Sequence, residues 1–357
     1  MAANKTTLPV IGISVGDLNG IGLEVILNTF ADSRMLELCT PVVFANAKVV
    51  SYHRKACNLM QLHYQQINNV EDAHQGKLNV CNIWDDNVNI ELGKLNPAIG
   101  KYAVMSIKAC VDAYDRKAVN AIVTAPIHKE ACFNDKHFPF SGHTGYFANH
   151  YHKNALMLLC EGSFRVALVT DHIPLENVSQ SIDQEKLQSF ILTLHDSLRS
   201  DFGVVKPKIA VLGLNPHAGD GGLIGDEDAK VIAPVVETLR NDGKLVFGPY
   251  PADGFFGRQN QNNFDAVVAM YHDQGLAPFK ALSFGNGVNV TLGLPIVRTS
   301  PDHGTGFDIA GTNDADENSF RQAVYQALSI VKHRGVHGEI NSNPLVVRPP
   351  KKQSGHQ

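Results

Sequence analysis

The stretch Asp265–Gly311 reads DAVVAMYHDQGLAPFKALSFGNGVNVTLGLPIVRTSPDHGTGFDIAG, and it says the most about how the chain folds. It opens with the apolar run 266–270, typical of a buried strand, which ends abruptly in a polar, glycine-rich segment. Open α/β sheets form their binding sites at the carboxyl ends of strands, in segments of this kind. The alternative is a connecting loop with incidental polar residues. We therefore predict a strand followed by a site-forming loop.

Outward from this stretch, short apolar runs alternate with helical patterns along the whole chain. The predicted strands are 9–15, 41–46, 118–124, 155–160, 165–170 and 208–214, and the predicted helices are 98–117, 184–199, 226–240 and 317–332. This alternation predicts α/β layers with parallel strands. A chain of 357 residues favours two domains, or one α/β unit with two lobes.

The composition is that of a soluble globular protein, with 44% hydrophobic and 18% charged residues. A formal net charge of −4 gives no reason to expect nucleic acid or an anionic membrane as a partner. No run approaches the roughly 18 apolar residues of a membrane span, and the N-terminus lacks a signal-peptide pattern. The six cysteines are scattered without a C-x-x-C pair, so we expect reduced thiols and a cytoplasmic protein.

Three histidines share one sequence context. His172, His217 and His272 each follow a short apolar run. A single histidine at a strand end is more often structural. Three at equivalent carboxyl edges could instead converge on one divalent ion and leave a position open for substrate or water.

A second group of residues indicates anion recognition. Lys280, Asn289 and Arg298 lie among glycines and apolar residues, where solvated salt bridges are less expected. His143 and Thr144 follow Gly142 at a predicted helix start, where backbone N–H groups could also meet an anion. Alternatively, Thr144 could simply be an N-cap. The glycine-rich turn Gly16–Gly22 is equally consistent with a structural turn and a binding loop, and it does not match G-x-G-x-x-G.

Several blocks together resemble one enzyme family. They are Gly16–Gly22, Thr124–Ile127, Gly142–Thr144, Gly213–Gly219, Ala269–Gly275, Gly287–Pro295 and Arg298–Ser300, in that order. This pattern is similar, over about residues 8–335, to the 4-hydroxythreonine-4-phosphate dehydrogenase (PdxA) family. The resemblance implies a two-lobed α/β/α sandwich of the isocitrate/isopropylmalate dehydrogenase-like type, with the active site in the interlobe cleft.

The resemblance also implies a domain division. Lobe one would comprise residues 1–125 plus 283–340, lobe two would comprise 126–282 with the metal histidines, and 341–357 would be a flexible tail. It further implies a homodimer whose metal ligands come from both subunits.

The implied reaction is NAD(P)-dependent oxidation of 4-phosphohydroxy-L-threonine to 2-amino-3-oxo-4-phosphohydroxybutanoate. This product decarboxylates to 3-amino-2-oxopropyl phosphate, a precursor of pyridoxal phosphate. The roles implied by the resemblance are metal binding by His172, His217 and His272, substrate binding by His143, Thr144, Lys280, Asn289 and Arg298, and cofactor binding by His303, Gly304, Thr305 and Asp308. The candidate bases are Lys280, Asp253 and Asp273. Zinc is the first choice of metal, with magnesium, manganese or cobalt as alternatives.

Two positions, Gly145 and His128, depart from the pattern expected of the family. Both lie in the substrate lobe, so a phosphorylated four-carbon sugar acid (threonate or erythronate 4-phosphate) is an alternative substrate. A second alternative is a non-catalytic protein that binds a phosphometabolite.

Overall fold

The computed structural model describes residues 8–133, 138–140 and 142–343. In these ranges the strands are β1 (Val10–Ser14), β2 (Thr40–Ala45), β3 (Tyr64–Ile67), β4 (Leu78–Asn82), β5 (Ala121–Thr124), β6 (Leu156–Glu161), β7 (Phe164–Leu168), β8 (Lys208–Leu212), β9 (Leu245–Tyr250), β10 (Ala266–Ala269), β11 (Val288–Leu292) and β12 (Arg298–Pro301).

The α-helices alternate with these strands. They are α1 (Gly22–Ala31), α2 (Ala47–Ala56), α3 (Gly100–Asp115), α4 (Lys129–Phe133), α5 (His143–Tyr151), α6 (Val178–Ser181), α7 (Gln184–Ser200), α8 (Ala233–Asn241), α9 (Ala252–Gly257), α10 (His272–Ser283) and α11 (Asn318–Asn341). A π-helical turn, Asp228–Ile232, leads directly into α8.

All twelve strands described form one sheet, in the order β3-β4-β2-β1-β5-β12-β11-β6-β7-β10-β8-β9. The α/β class is therefore confirmed. The expectation of parallel strands is wrong at the centre of the sheet, because β11 runs antiparallel to both β12 and β6, and β6 runs antiparallel to β7. The two-residue connection between β6 and β7 is a hairpin, too short for the crossover that a parallel pair needs.

Apolar cores cover both faces of the sheet. Along β2, Val43 packs in one core, whereas the adjacent Val42 and Phe44 pack in another, as the two-residue period of a strand requires. Burial on both faces explains why the strands read as continuous apolar runs in the sequence.

The stretch that opened the sequence analysis is more regular than predicted. Residues 272–283 form helix α10 rather than a loop, and Asn289 and Arg298 lie on strands β11 and β12. Gly275 serves close packing here, because a Cβ at this position would lie only 2.6 to 2.9 Å from atoms of Leu168, Val166 and Ala269. The glycine therefore brings the helix onto the sheet instead of loosening the chain.

Other differences concern elements that were not predicted and the end of one helix. Strands β3, β4 and β9 were not predicted, and β3 and β9 are the two edges of the sheet. Helix α11 continues to Asn341, nine residues beyond the predicted end. Of the tail predicted at 341–357, residues 344–357 lie outside the described residues.

The six cysteines are all buried, and in the described ranges no disulfide joins them. In the described ranges, no helix has both the length and the apolar character needed to cross a membrane.

Candidate active site

A cavity of about 760 Å³ opens at the centre of the sheet, beside β12, β11 and the start of α5. This volume is within the range of small-molecule sites. Its lining includes eight residues predicted from the sequence, namely His143, Thr144, His172, Lys280, Asn289, Arg298, His303 and Gly304. These residues are far apart in the sequence, and the order of the strands brings them together.

Arg298 is the most deeply buried charge in this cavity, with 3% of its surface exposed. Its Nε and Nη2 donate to Thr124 Oγ1 at 3.1 and 2.6 Å, and its Nη1 donates to Thr291 Oγ1 at 3.1 Å. Its side-chain hydrogen bonds go to threonines and none of the described carboxylates is paired with it, and burial lowers the pKa of its guanidinium to about 9. The group is still charged at neutral pH, so the cavity holds a buried positive charge that an anion would compensate.

His143 begins helix α5 and lies beside Arg298. Both side chains approach the ring of Phe147, with His143 stacked at 6.4 Å between ring centroids and Arg298 Cζ at 5.8 Å from the centroid. Burial, followed by the positive charges of Arg298 and Lys129, lowers the pKa of His143 well below its usual range. His143 is therefore a neutral imidazole at neutral pH. Thr144 is the second residue of the helix, and Gly142 rather than Thr144 occupies the N-cap position.

Three buried polar atoms without partners belong to residues that line the cavity. His143 Nε2, Asn289 Oδ1 and His303 Nε2 are all buried and find no hydrogen-bond partner among the described residues. Such atoms are rare in folded proteins because each one costs the free energy of lost solvation. Their common location indicates that a polar ligand supplies the missing hydrogen bonds.

Lys280 and Asp302 face each other in the cavity, with Nζ 3.5 Å from Oδ1. Burial raises the pKa of Asp302, and the nearby Lys280 opposes that rise. Lys129 also lines the cavity, and it was not predicted. The lining thus carries three cationic side chains, on Lys129, Lys280 and Arg298.

The three predicted metal histidines follow three adjacent strands. Strands β7, β10 and β8 are neighbours and run parallel, so the segments that bear His172, His272 and His217 leave the sheet at one edge. The rings of His172 and His272 lie 5.6 Å apart between centroids. This edge of the sheet, with its three histidines, is called the histidine edge below.

Two of these three imidazoles have a carboxylate beside their Nδ1 atom. His172 Nδ1 lies 3.5 Å from Asp171 Oδ2, and His272 Nδ1 lies 2.7 Å from Asp273 Oδ1. The interaction with His172 is the largest cause that lowers the pKa of Asp171 to about 2. A carboxylate on Nδ1 leaves Nε2 free to bind a metal, which is the usual arrangement at metal-bound histidines. These side chains therefore fit a divalent ion.

His217 differs from the other two histidines in its backbone. It lies in a turn where every residue from His217 to Gly222 has a positive φ, and, like His272, it does not line the cavity. Among the described residues, no three histidine, cysteine, aspartate or glutamate side chains are grouped to hold a metal ion. His172, His217 and His272 of one chain are therefore not gathered at one point.

The loop predicted to bind the cofactor packs on the glycine-rich turn near the N-terminus. The Ile21 N–H donates to the Thr305 carbonyl at 2.9 Å, and the buried Glu24 carboxylate accepts from the Gly311 and Ala315 N–H groups at 3.0 and 3.1 Å. His303 and Gly304 line the cavity, whereas Thr305 and the exposed Asp308 do not. The turn Gly16–Gly22 thus supports the predicted cofactor-binding loop, which begins at the cavity wall.

The three candidate bases occupy different positions. Lys280 lines the cavity, Asp273 is paired with His272, and Asp253 is exposed on α9 outside the cavity lining.

Sequence reasoning missed several residues. Thr124 holds Arg298 from 174 residues away, which no local pattern indicates. The Asp171-His172 and His272-Asp273 dipeptides, by contrast, could have indicated the carboxylates that orient these histidines.

Comparison with known proteins places this arrangement in a family. The family model described as pyridoxal phosphate biosynthetic protein PdxA matches residues 37–327. The chain is 46% identical over 337 residues to a 4-hydroxythreonine-4-phosphate dehydrogenase of Bacteroides thetaiotaomicron, covering 94% of this chain and 92% of that protein.

Solved structures agree with this match. The 4-hydroxythreonine-4-phosphate dehydrogenase from Burkholderia phymatum is similar with a TM-score of 0.75 and 36% identity, over 91% of this chain and 99% of that one. The enzyme of that name from Klebsiella pneumoniae is similar with a TM-score of 0.76 and 33% identity, over 91% of this chain and 100% of that one.

Proposed function

The chain belongs to the PdxA family of pyridoxal phosphate biosynthetic proteins, and from this premise we propose that it oxidises 4-phosphohydroxy-L-threonine with NAD(P). The product, 2-amino-3-oxo-4-phosphohydroxybutanoate, then loses CO₂ to give 3-amino-2-oxopropyl phosphate. The observation that carries the proposal is the buried Arg298, which is charged and has no described carboxylate partner. A phosphorylated substrate supplies the anion that this site lacks.

The substrate phosphate binds in the cavity at Arg298, Asn289, His143 and Thr144. The guanidinium offers planar N–H donors suited to phosphate, and the two threonines that it contacts fix its orientation. His143 Nε2, in the tautomer that carries its proton there, gains a phosphate oxygen as acceptor. Asn289 donates to the phosphate through its Nδ2 group. Binding energy at this end then holds the carbinol carbon in place for reaction.

The reacting end of the substrate lies toward Lys280 and the histidine edge. His172, His217 and His272 would hold the divalent metal, which as a Lewis acid lowers the pKa of a substrate hydroxyl and stabilises charge formed during decarboxylation. Lys280, as the neutral amine, is the proposed acceptor of the hydroxyl proton, because it is the one candidate of the three that lines the cavity. Asp302 Oδ1, 3.5 Å from Lys280 Nζ, orients the side chain.

The nicotinamide cofactor, NAD or NADP, binds at the loop that contains His303, Gly304, Thr305 and Asp308, and it accepts the hydride. This placement is supported by His303, whose Nε2 is unpartnered at the cavity wall. Glu24 and Ile21 hold the backbone of the loop in position for the dinucleotide.

We also propose that the cavity is the cleft between two lobes, 1–125 plus 283–340 and 126–282. The strand order supports this division, because strands from 10–124 and 288–301 occupy one side of the sheet and strands from 156–269 occupy the other. Residues from both sides line the cavity, for example Arg298 and His172.

A homodimer completes the metal site in this proposal. Support comes from the finding that the three histidines of one chain are not grouped to hold an ion, as far as the described residues show, and from exposed apolar side chains in the same segments, including Leu175, Leu223 and Phe284. Leu223 and Phe284 expose 82% and 84% of their surfaces, which another subunit would cover in the dimer.

Steady-state kinetics with metal supplied test the substrate. NADH or NADPH formation should have a higher kcat/KM with 4-phosphohydroxy-L-threonine than with threonate or erythronate 4-phosphate. The reverse order would favour the sugar-acid alternative. The sugar-acid alternative is based partly on Gly145, which lines the cavity. The cavity wall has free space there, because a Cβ added to Gly145 would meet only Phe140 Cβ, at 3.8 Å.

Mixed dimers test the shared metal site. His217→Ala and His272→Ala are each expected to be inactive alone. Co-expressed with separate tags and purified as heterodimers, they should regain one active site for each dimer, because the intact ligands then meet across the interface. Inactive heterodimers would show that His217 and His272 of each site come from the same chain.

A further inference from the structure

A side-chain bridge connects two of the segments that carry metal histidines. Ser179 Oγ, seven residues after His172, donates to Glu227 Oε1 at 2.7 Å. Asn215 Nδ2, two residues before His217, donates to Glu227 Oε2 at 2.8 Å. One carboxylate therefore holds both segments, each through its own oxygen.

The neighbouring Asp228 fixes the base of the His217 turn. Its buried carboxylate accepts from the backbone N–H groups of Leu214 and Asn215, at 2.8 and 3.0 Å, and from Asn215 Nδ2 at 3.0 Å. Asn215 is thus held by both carboxylates. Its orientation sets the direction in which the chain enters the turn at His217.

The turn itself needs such support. Its positive φ angles include those of the non-glycine residues His217, Ala218 and Asp220, a conformation that costs free energy in each case. Gly225, with a φ of +112°, leaves the space that the bridge occupies, since a Cβ there would lie 2.6 Å from Asn215 Nδ2 and 2.8 Å from Glu227 Oε2. The His217 turn is therefore positioned by these contacts and not by local backbone preference.

We propose that Glu227 is a positioning residue for metal binding, which fixes the His172 and His217 segments relative to each other so that each presents its imidazole to the ion that it binds. This inference rests on the proposed metal role of the histidines. Glu227 touches neither the cavity nor an imidazole, so it acts through Ser179 and Asn215. Residues that orient metal ligands typically change metal affinity by about 10- to 100-fold when mutated.

The fold should survive loss of the bridge. Gln184 Nε2 donates to the Lys230 carbonyl at 2.8 Å, so the two regions remain connected three residues beyond Glu227. Glu227 is only half-buried, and Asp228 still holds Asn215. A Glu227→Ala variant is therefore expected to remain folded.

The test is calorimetric titration of zinc into the full-length protein after its metal has been removed with EDTA. Glu227→Ala should bind zinc at least about 10-fold more weakly, while the melting temperature of the metal-free protein changes little. Glu227→Gln should restore most of the affinity, because its amide can accept from Asn215 and donate to Ser179. Glu237→Ala, which removes an exposed glutamate on α8, is the matched control and should bind as the wild type does.

Wild-type zinc affinity in folded Glu227→Ala would overturn the inference, as would an equal loss in Glu237→Ala. His217→Ala separates this failure from that of the proposed metal site. If His217→Ala loses zinc and Glu227→Ala does not, only the positioning role is wrong. If His217→Ala binds zinc normally, the assignment of the metal ligands is wrong and the inference fails with it.

Discussion

The Arg298 cavity and the histidine edge lie in one sheet but are constructed differently. Arg298 and Asn289 are on strands, and Arg298 is buried and held by two threonines from adjacent strands. At the histidine edge, 55% of the His172 side chain and 38% of the His272 side chain are exposed, and His217 lies in a strained turn. The residues proposed to bind the anion are thus built into the core, whereas the proposed metal ligands lie on its rim and depend on neighbouring side chains.

The largest expected loss of activity is that caused by replacing His217. His217→Ala should abolish turnover, since a metal ligand cannot be replaced by methyl, while the Arg298 cavity remains able to bind inorganic phosphate. Metal content by elemental analysis and phosphate binding by calorimetry check the two regions separately. Full activity in this variant would remove His217 from the metal site.

Arg298→Ala should weaken phosphate binding and leave zinc binding intact, which is the opposite of the effect expected for His217→Ala. Loss of a buried, charged hydrogen-bonding group costs about 3 kcal/mol or more, so kcat/KM should fall at least about 100-fold. Zinc affinity should be unchanged. Arg298→Lys should recover little, because an ammonium group cannot reproduce the planar contacts to Thr124 and Thr291. Coupled loss of phosphate and zinc binding would contradict the separation of the two regions.

A smaller effect is expected at Asp273. Asp273→Asn keeps an acceptor for His272 Nδ1 but removes the negative charge, so zinc affinity should fall by about 10-fold. Asp242→Asn, an exposed change at the end of α8, serves as the control. Unchanged zinc binding in Asp273→Asn would mean that the carboxylate does not support His272 as a ligand.

His53 provides a reference outside both regions. Burial lowers its pKa from 6.5 to about 4, so the folded protein keeps a neutral imidazole. Below about pH 6.5 the unfolded chain binds a proton that the folded chain does not, and stability therefore falls as the pH falls toward 4. The loss attributable to His53 should be about 1 kcal/mol near pH 5.5.

Urea unfolding of wild type and His53→Asn at pH 7.5 and 5.5 measures this effect. The variant should lose less stability between the two pH values, even if its stability is lower at both. An equal pH dependence in the two proteins would contradict the assignment.

The candidate site was predictable from the sequence where its polar side chains come directly after a strand. His172, His217 and His272 were identified because each comes just after a buried apolar run, and the three strands prove to be adjacent. The helical state of 272–283 was not predicted, because glycine and proline are signals of a loop. Gly275 instead serves close packing, and Pro278 is accommodated within the helix.

The sequence by itself determined the α/β class, most of the strands and helices, and the residue types that perform the chemistry, because these depend on apolar periodicity and on side chains beside strand ends. Only the tertiary structure decided how the sheet is ordered, that Thr124 holds Arg298 across 174 residues, and that Glu227 connects two histidine segments. Such pairs form because strands and turns distant in the chain pack side by side, and neighbouring residues in the sequence carry no record of that proximity.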